Sequence, residues 1–408
     1  MAWHVRVGHG SFVSIGPRVA VRSDQPNSAW TPSRERPTVR EVRGQIPASV
    51  TTQSLALGLA VFFSALTLHC AAVAAVLLVP WWPLQIGGAF LAGLFLATLF
   101  VVGHDACHGS LTPYNRLNKV LSRIAFLPSW TPYASWEFAH NRVHHAYTNL
   151  RGKDYAWAPF SKDEYDRLSW RRRWLERHYR SIGGLGSYYM IEYWLRHLLF
   201  PSSKERREMK RPVAFPFDFA LILIFVTAQI CSVCAWSQTL TPGETFWGPF
   251  TSVPALLLTV ILLPFLVWNW AMAFAIFQHH THPRAVWYAA TEERDFFAGQ
   301  VESTTHALMP WWIEWISAFI MQHTAHHVNT RIPLYRLSKS QRYLERTYTD
   351  GIIVQPWRFT ALGETLARCK LYDYENHRWL NFKGRPTTEP NAIMREFKLR
   401  DPCRGGSK

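Results

Sequence analysis

Lysine and arginine are missing from two long stretches of this 408-residue chain, residues 51–103 and 213–276, although the whole chain holds 44 of them. The same stretches contain only two acids, Asp218 and Glu244, so neither has the polar face at helical period that a helix in a water-soluble core requires. Cysteine is scarce as well. Six residues (Cys70, Cys107, Cys231, Cys234, Cys369 and Cys403) are scattered without a short-spaced framework, which excludes a disulfide-stapled secreted domain and a zinc ribbon. No GxGxxG fingerprint for a flavin or nicotinamide occurs, and HExxH metalloprotease spacing is absent. Residues 1–50 lack the apolar core of a secretory signal and read as a polar cytoplasmic tail. Residues 1–30 carry arginine and a single acid, Asp24, which keeps an organelle transit peptide open.

What the chain does have is aromatic bulk: 20 Trp, 25 Phe and 15 Tyr, beside a mean hydropathy of −0.08. Such loading suits a protein that meets both lipid and water. Apolar runs over 55–79, 84–103, 213–236 and 253–277 each approach the roughly 20 residues that span a bilayer. The expected fold class is therefore all-α integral membrane, with four transmembrane helices in two hairpins. The linkers, Pro80–Pro83 and Ser237–Pro249, hold no Lys or Arg, so the positive-inside rule turns both away from the cytoplasm. Both termini and the middle segment then lie inside. The formal charge of +16 becomes topology and headgroup attraction, worth about 1 kcal/mol per basic residue near the surface, and nucleic-acid binding is not expected.

Mixed Trp, Tyr and Arg stretches at Arg171–Tyr189 and Pro310–Gln322 predict cytoplasmic interfacial helices. The expected division is a tail over 1–50, a membrane domain over 51–350 with a cytoplasmic helical cap, and a cytoplasmic C-terminal segment over 351–408. The expected location is a bacterial inner membrane, or an organelle membrane if residues 1–30 act as a transit peptide.

Of 18 histidines, 11 fall in four clusters: His104 and His108 in HDACH; His140, His144 and His145 in HNRVHH; His279, His280 and His282 in QHHTHP; His323, His326 and His327 in HTAHH. Residues three or four apart on a helix share a face, so the pairs 104/108 and 140/144 and the trio 323/326/327 can each converge on an ion. The first cluster starts just past the second apolar run and the third at the end of the fourth run, which delivers both to one membrane edge. Eleven imidazoles exceed the three or four that one tetrahedral zinc takes, so two metals is the economical count. Imidazole suits zinc, copper, iron or nickel, and ligand type alone does not name the ion. Only Glu137-Phe138-Ala139-His140 matches the Glu-x-x-His motif of soluble di-iron carboxylate bundles. Asp105 is a candidate to orient a ligand imidazole through its second ring nitrogen.

These boxes, in this order and with these spans between them, resemble the membrane-bound fatty acid desaturases, a histidine-rich di-iron family. The resemblance runs from about Pro37 to Thr349 and includes VREVRGQIP, HDACHGS, HNRVHHAYTNLRGKDYAWAPFS, QHHTHP and HTAHHVNTRIPLY. Asp154-Tyr155-Ala156-Trp157-Ala158-Pro159 and Ile332-Pro333-Leu334-Tyr335 look most like the omega-6 (Δ12-type) acyl-lipid branch of bacteria and plastids. The resemblance implies two iron ions that use dioxygen to remove two hydrogens from a fatty acyl chain, leaving a cis double bond. It carries ligand roles onto His104, His108, His140, His144, His145, His323, His326 and His327, with His280, then His282, as the further imidazole. His279, next to His280, leaves the choice of ring open. Asn269 would hold a water near the metal.

An external ferredoxin or cytochrome b5 donor is implied, and the basic face of Arg171, Arg172, Arg173 and Arg177 is a candidate dock, or else a headgroup contact. Trp130, Trp136, Trp157 and Trp311 are candidates to flank the acyl tail. A hydroxylase or ketolase of alkyl or carotenoid substrates is an alternative on the same scaffold. A His-rich metal transporter is a remote one, since transporters place ligands near the bilayer midplane and the spans here offer only His69 and Asp218.

Overall fold

The computed structural model describes residues 36–209, 211, 213–240 and 248–391. The stretch read as a transit peptide and residues 392–408 of the C-terminal segment lie outside the described residues. Four helices are long and apolar enough to cross a membrane: α1 (Leu55–Leu78), α2 (Trp82–Cys107), α3 (Ala214–Gln238) and α4 (Val253–His280). Their starts follow local chemistry. The Ser54 hydroxyl caps α1 by accepting from the Leu57 N–H, and prolines at 83 and 254 sit in the first turns of α2 and α4, where no backbone N–H is needed. The ends of α2 and α4 outrun the apolar stretches read from the sequence, past Gly103 to Cys107 and past Phe277 to His280. Helical hydrogen bonding does not stop where lipid-facing residues stop, and the extra turn carries His104, His279 and His280 on rigid backbone.

The centre of the packing is α2, 61% buried over its apolar window against 11% for α3. Gly93 sets the approach of α2 to α4, because a Cβ there would lie 2.7 Å from the Pro264 carbonyl oxygen and 2.5 Å from Val267 Cβ. His69 of α1 donates to the Ala92 carbonyl at 3.0 Å, and Gln85 of α2 donates to the Val76 carbonyl at 3.1 Å. Asp218 of α3 accepts from Arg123 Nε at 2.7 Å and from the Ala134 N–H at 2.8 Å. Both ionisable groups read within the spans are thus consumed in packing, as buried polar groups in apolar surroundings must be.

The connecting segments are short helices. In 171–189 the chain forms Trp170–Tyr179, turns at Arg180–Gly184, and resumes as Leu185–Tyr188 running into a π-wound stretch, Tyr189–Leu199. In 310–322 only Trp311–Ile316 is α-helical, stopped by left-handed backbone at Ala318 (φ 48°) and Phe319 (φ 61°). The structure adds four three-residue strands to the helical expectation: β1 (Thr305–Ala307) pairs in parallel with β2 (Ile353–Gln355), and β3 (Leu371–Asp373) pairs antiparallel with β4 (Arg378–Leu380). Strands this short carry no readable alternation. Through them residues beyond 350 join the helical body, where Cys369, Tyr372 and Trp379 bury Trp287. At the other end Val42, Ile46 and Val50 are buried in the core that contains the α2 residues.

Candidate metal centre

Three local devices position three of the histidine clusters. Gly103 lets α2 press on the helix Asn115–Phe126, since a Cβ there would be 2.6 Å from that of Ala125, and so seats His104 one residue later. The second box lies on Glu137–His144, which is π-wound, with i→i+5 hydrogen bonds. The fourth lies on His323–Val328, where the Gln341 side chain accepts the Ala325 N–H at 2.8 Å.

The outcome is two groups of four. His104, His108, His140 and His326 form one, and His144, His280, His323 and His327 the other, with ligand atoms in each within 4.8 Å of one another. The pairing 104/108 is as the spacing predicts. His140 and His144, however, go to different groups, and so do His326 and its neighbours His323 and His327. The π-winding explains the first split: it puts residues five apart side by side, and His145 Nε2 sits 3.1 Å from His140 Nε2. The His145 ring lies 4.9 Å from His108 and His326 and 4.3 Å from His327, centroid to centroid, between the groups.

The donor chemistry fits metal ions. His104 and His140 oppose Nε2 to Nε2 at 3.0 Å, and His280 and His323 do so at 2.9 Å. Both ring nitrogens of His326 are buried without a hydrogen-bond partner, as are His108 Nε2 and His327 Nε2. Converging imidazole nitrogens in a dry site call for a shared cation. Burial, and then the neighbouring imidazoles, hold the titration of His108, His140, His145, His323 and His327 well below the usual histidine range, and that of His326 at about 3. The rings are neutral at physiological pH, the form that binds metal.

Supporting contacts orient the rings. His144 Nδ1–H donates to Asp154 Oδ1 at 2.9 Å, and His327 Nδ1–H donates to Gln300 Oε1 at 2.8 Å. Gln300 also donates to the His145 carbonyl at 2.9 Å. Neither role follows from sequence spacing. Asp154 stood in a phrase already singled out, ten residues past His144, whereas nothing in the spacing points to Gln300.

Three candidates fall elsewhere. Asp105 does not reach an imidazole: it accepts from the Ser110 hydroxyl at 2.6 Å and the Leu334 N–H at 3.2 Å, tying the first box to the Ile332–Tyr335 loop. His282 has both nitrogens engaged, donating from Nε2 to Gln355 at 2.9 Å and accepting at Nδ1 from the Arg284 N–H at 3.1 Å, so no lone pair is left for a metal. Asn269 lies against Gly186, eleven residues or about 16 Å of helix before His280. His279 joins neither group and stacks on His323 at 3.6 Å.

An apolar cavity of about 50 Å³ ends on His104, His140, His144, His279, His280 and His323, walled by Trp136, Tyr189 and Tyr193. A second, of about 340 Å³, shares Val101, Met272, Ala275 and Ile320 with it and extends to Trp312, Trp357 and Phe359. Of the four tryptophans expected at an acyl tail, Trp136 lines this path. Trp157 is stacked on Tyr188, Trp130 on Phe265, and Trp311 is exposed.

The sequence profile described as "Fatty acid desaturase" matches residues 80–358, which contain both histidine groups. The sn-1 oleoyl-lipid 12-desaturase of a Picosynechococcus species is 28% identical over 76% of this chain and 82% of its own length. The chloroplastic omega-6 fatty acid desaturase of Glycine max is 26% identical over 72% of this chain and 64% of its own length. The sn-1 acyl-lipid omega-3 desaturase (ferredoxin) of a Synechocystis species is 26% identical over 79% of this chain and 85% of its own length. Paired histidine groups at the end of an apolar cavity and a profile match across most of the chain lead to one conclusion: this chain belongs to the fatty acid desaturase family.

Proposed function

We propose that this desaturase is an acyl-lipid enzyme of omega-6 (Δ12) type that places a cis double bond in a fatty acyl chain at a di-iron centre. The observation that carries the reading is the apolar path that ends on six imidazoles. Two relatives whose printed names specify the 12 or omega-6 position support this regiochemistry.

Iron ions held by His104, His108, His140 and His326, and by His144, His280, His323 and His327, would supply dioxygen activation and the removal of hydrogen from carbon. His145 lies between the sets and serves either. The chain's own residues do the rest. Val101, Met272, Ala275 and Ile320 line both cavities where they adjoin, and would exclude water from an acyl segment that runs from one to the other. Trp136 stacks on His140 at 4.4 Å and closes one wall of the reaction end. Asp154 and Gln300 fix which nitrogen His144 and His327 present. The balance is one CH₂–CH₂ unit, one dioxygen, two electrons and two protons giving one CH=CH unit and two waters, so electrons come from an external one-electron donor such as ferredoxin or cytochrome b5.

The proposed topology keeps both cation-poor linkers outside and the histidines cytoplasmic, in a bacterial inner membrane or an organelle equivalent. The α1–α2 bonds and the 2.5 Å bond from Ser237 Oγ to the Thr251 carbonyl, across the second linker, support the two hairpins. The polar tail, membrane domain and C-terminal segment remain the proposed division.

Expression in a host that makes oleate but no polyunsaturated lipid, followed by gas chromatography of fatty acid methyl esters with double-bond localisation, tests the reading. Linoleate is the expected product. A diene with another double-bond position would overturn the omega-6 assignment, and hydroxylated acyl chains would move the protein to the hydroxylase alternative.

A further inference from the structure

A polar cleft of about 540 Å³ reaches the histidines from the side away from the acyl path. Its walls include His108, His145 and His327, none of which lines either apolar cavity, while the six imidazoles of the reaction end are absent from the cleft. The eight group-forming histidines, the bridging His145 and their neighbour His279 make ten, and all but His326, which lines neither space, thus sort into a lipid-side set and a solvent-side set. Only His108 and His145 among them are more than marginally exposed.

The rim is cationic and fixed. Arg43 donates from Nε to the Val328 carbonyl at 2.9 Å, beside the fourth box. Arg294 donates to the Thr148 and Ala146 carbonyls at 2.9 and 3.1 Å, just past the second box. Both guanidinium groups are held by backbone that also carries ligands, and both line the cleft, with Asp295 as the acid among them. Two exposed cations extend the field: Arg40, one helical turn before Arg43, and Arg331, which follows the cleft residue Thr330. The alternative face is less available, since Arg172 is already paired with Glu192 and Glu176, and Arg177 with the Tyr165 hydroxyl.

We infer that this cleft is where a small acidic one-electron carrier of the [2Fe–2S] ferredoxin kind docks, delivering electrons through the exposed edges of His108 and His145. The inference rests on the desaturase reading. Each turnover oxidises two reduced carriers by one electron each, and these two electrons, with two protons, complete the reduction of dioxygen to two waters alongside the two hydrogens taken from the acyl chain. Three features favour this face. It meets three histidine rings, His108, His145 and His327, where the neighbouring cleft beside Lys119 and Arg123 meets His108 alone; it carries excess positive charge; and it leaves the lipid path free for substrate.

The test uses the full chain, iron-loaded, in lipid nanodiscs with oleoyl lipid. Turnover is measured with reduced plant-type ferredoxin and with dithionite–methyl viologen, and binding of oxidised ferredoxin is measured by bio-layer interferometry. The Arg40→Glu/Arg331→Glu variant is expected to raise both the ferredoxin KM and its Kd by about tenfold at low ionic strength, with the gap to the unmutated protein closing as salt is added. Turnover with the viologen reductant is expected to stay unchanged. Arg171→Glu/Arg173→Glu is expected to leave all three values unchanged. Unaltered ferredoxin binding in the first variant, or loss confined to the second, would overturn the inference. No turnover of the unmutated protein with either reductant would instead strike the desaturase reading itself, and this inference with it.

Discussion

His144 and Asp154 are joined by a 2.9 Å hydrogen bond from Nδ1–H to a buried carboxylate, and that bond decides which nitrogen of His144 faces the second histidine group. The same carboxylate accepts the Asn149 N–H at 2.8 Å and the Ala156 N–H at 3.0 Å, so it also shapes the loop behind the ligand. Asp154→Asn retains the shape but removes the charge that raises the basicity of the ring. Iron affinity is expected to fall by about 10- to 100-fold, as for other outer carboxylates. Iron content after a graded chelator challenge checks this; retention equal to the unmutated protein would contradict it.

His280 and His282 offer a sharper contrast, because they stand two residues apart and only one has a nitrogen to give. His280 opposes His323 at 2.9 Å, whereas both nitrogens of His282 are spent on Gln355 and Arg284. His280→Ala is expected to abolish desaturation and release iron. His282→Ala is expected to retain both iron ions and measurable activity, with loss of thermal stability from the broken Gln355 contact, about 1 kcal/mol for a half-buried hydrogen bond. Equal metal loss in the two variants would show that His282 serves the centre after all.

The long-range character of such contacts explains what could be read in advance. The spans were legible because apolar runs free of Lys and Arg have few other uses, and the histidines because eleven of them cluster at short spacing. Their division between two ions was not, since it depends on π-winding at Glu137–His144, a backbone choice that helical spacing rules cannot anticipate. Asp105 shows the converse error: adjacency to ligands in sequence suggested support for a ring, yet its side chain points to Ser110 and Leu334. Gln300, lying 27 residues before its partner His327, could be found only once the chain was folded.

Acid should destabilise the metal-free protein in a predictable window. Burial lowers the titration of His282 from 6.5 to about 4 and that of His326 to about 3, and holds His108, His140, His145, His323 and His327 well below the usual range. Above pH 6.5 these rings are neutral whether the chain is folded or not. As pH falls from there towards about 4, the unfolded chain takes up protons that the folded protein refuses, so stability drops. The unfolding temperature of the apo-protein in detergent is expected to decline steeply over that interval, and iron to oppose the decline by binding the neutral rings. A flat profile across it would contradict the burial of the cluster.

Ala275 of α4, one turn before His279, lines both apolar cavities where they adjoin, with Val101, Met272 and Ile320. If the acyl chain reaches the imidazoles through this junction, bulk added there should block the reaction without touching a ligand. Ala275→Leu inserts three carbons at a point only 9% exposed, on the edge of the core where it lines both cavities. Misplacement of the reacting carbons by about 1 Å can cost roughly 100-fold in rate. The expected result is at least about a tenfold fall in diene formed, with iron content and electron uptake from a viologen reductant preserved. Ala275→Gly, which adds no bulk there, is expected to retain most of the activity. Unchanged product from Ala275→Leu would mean that the acyl chain reaches the histidines by another route.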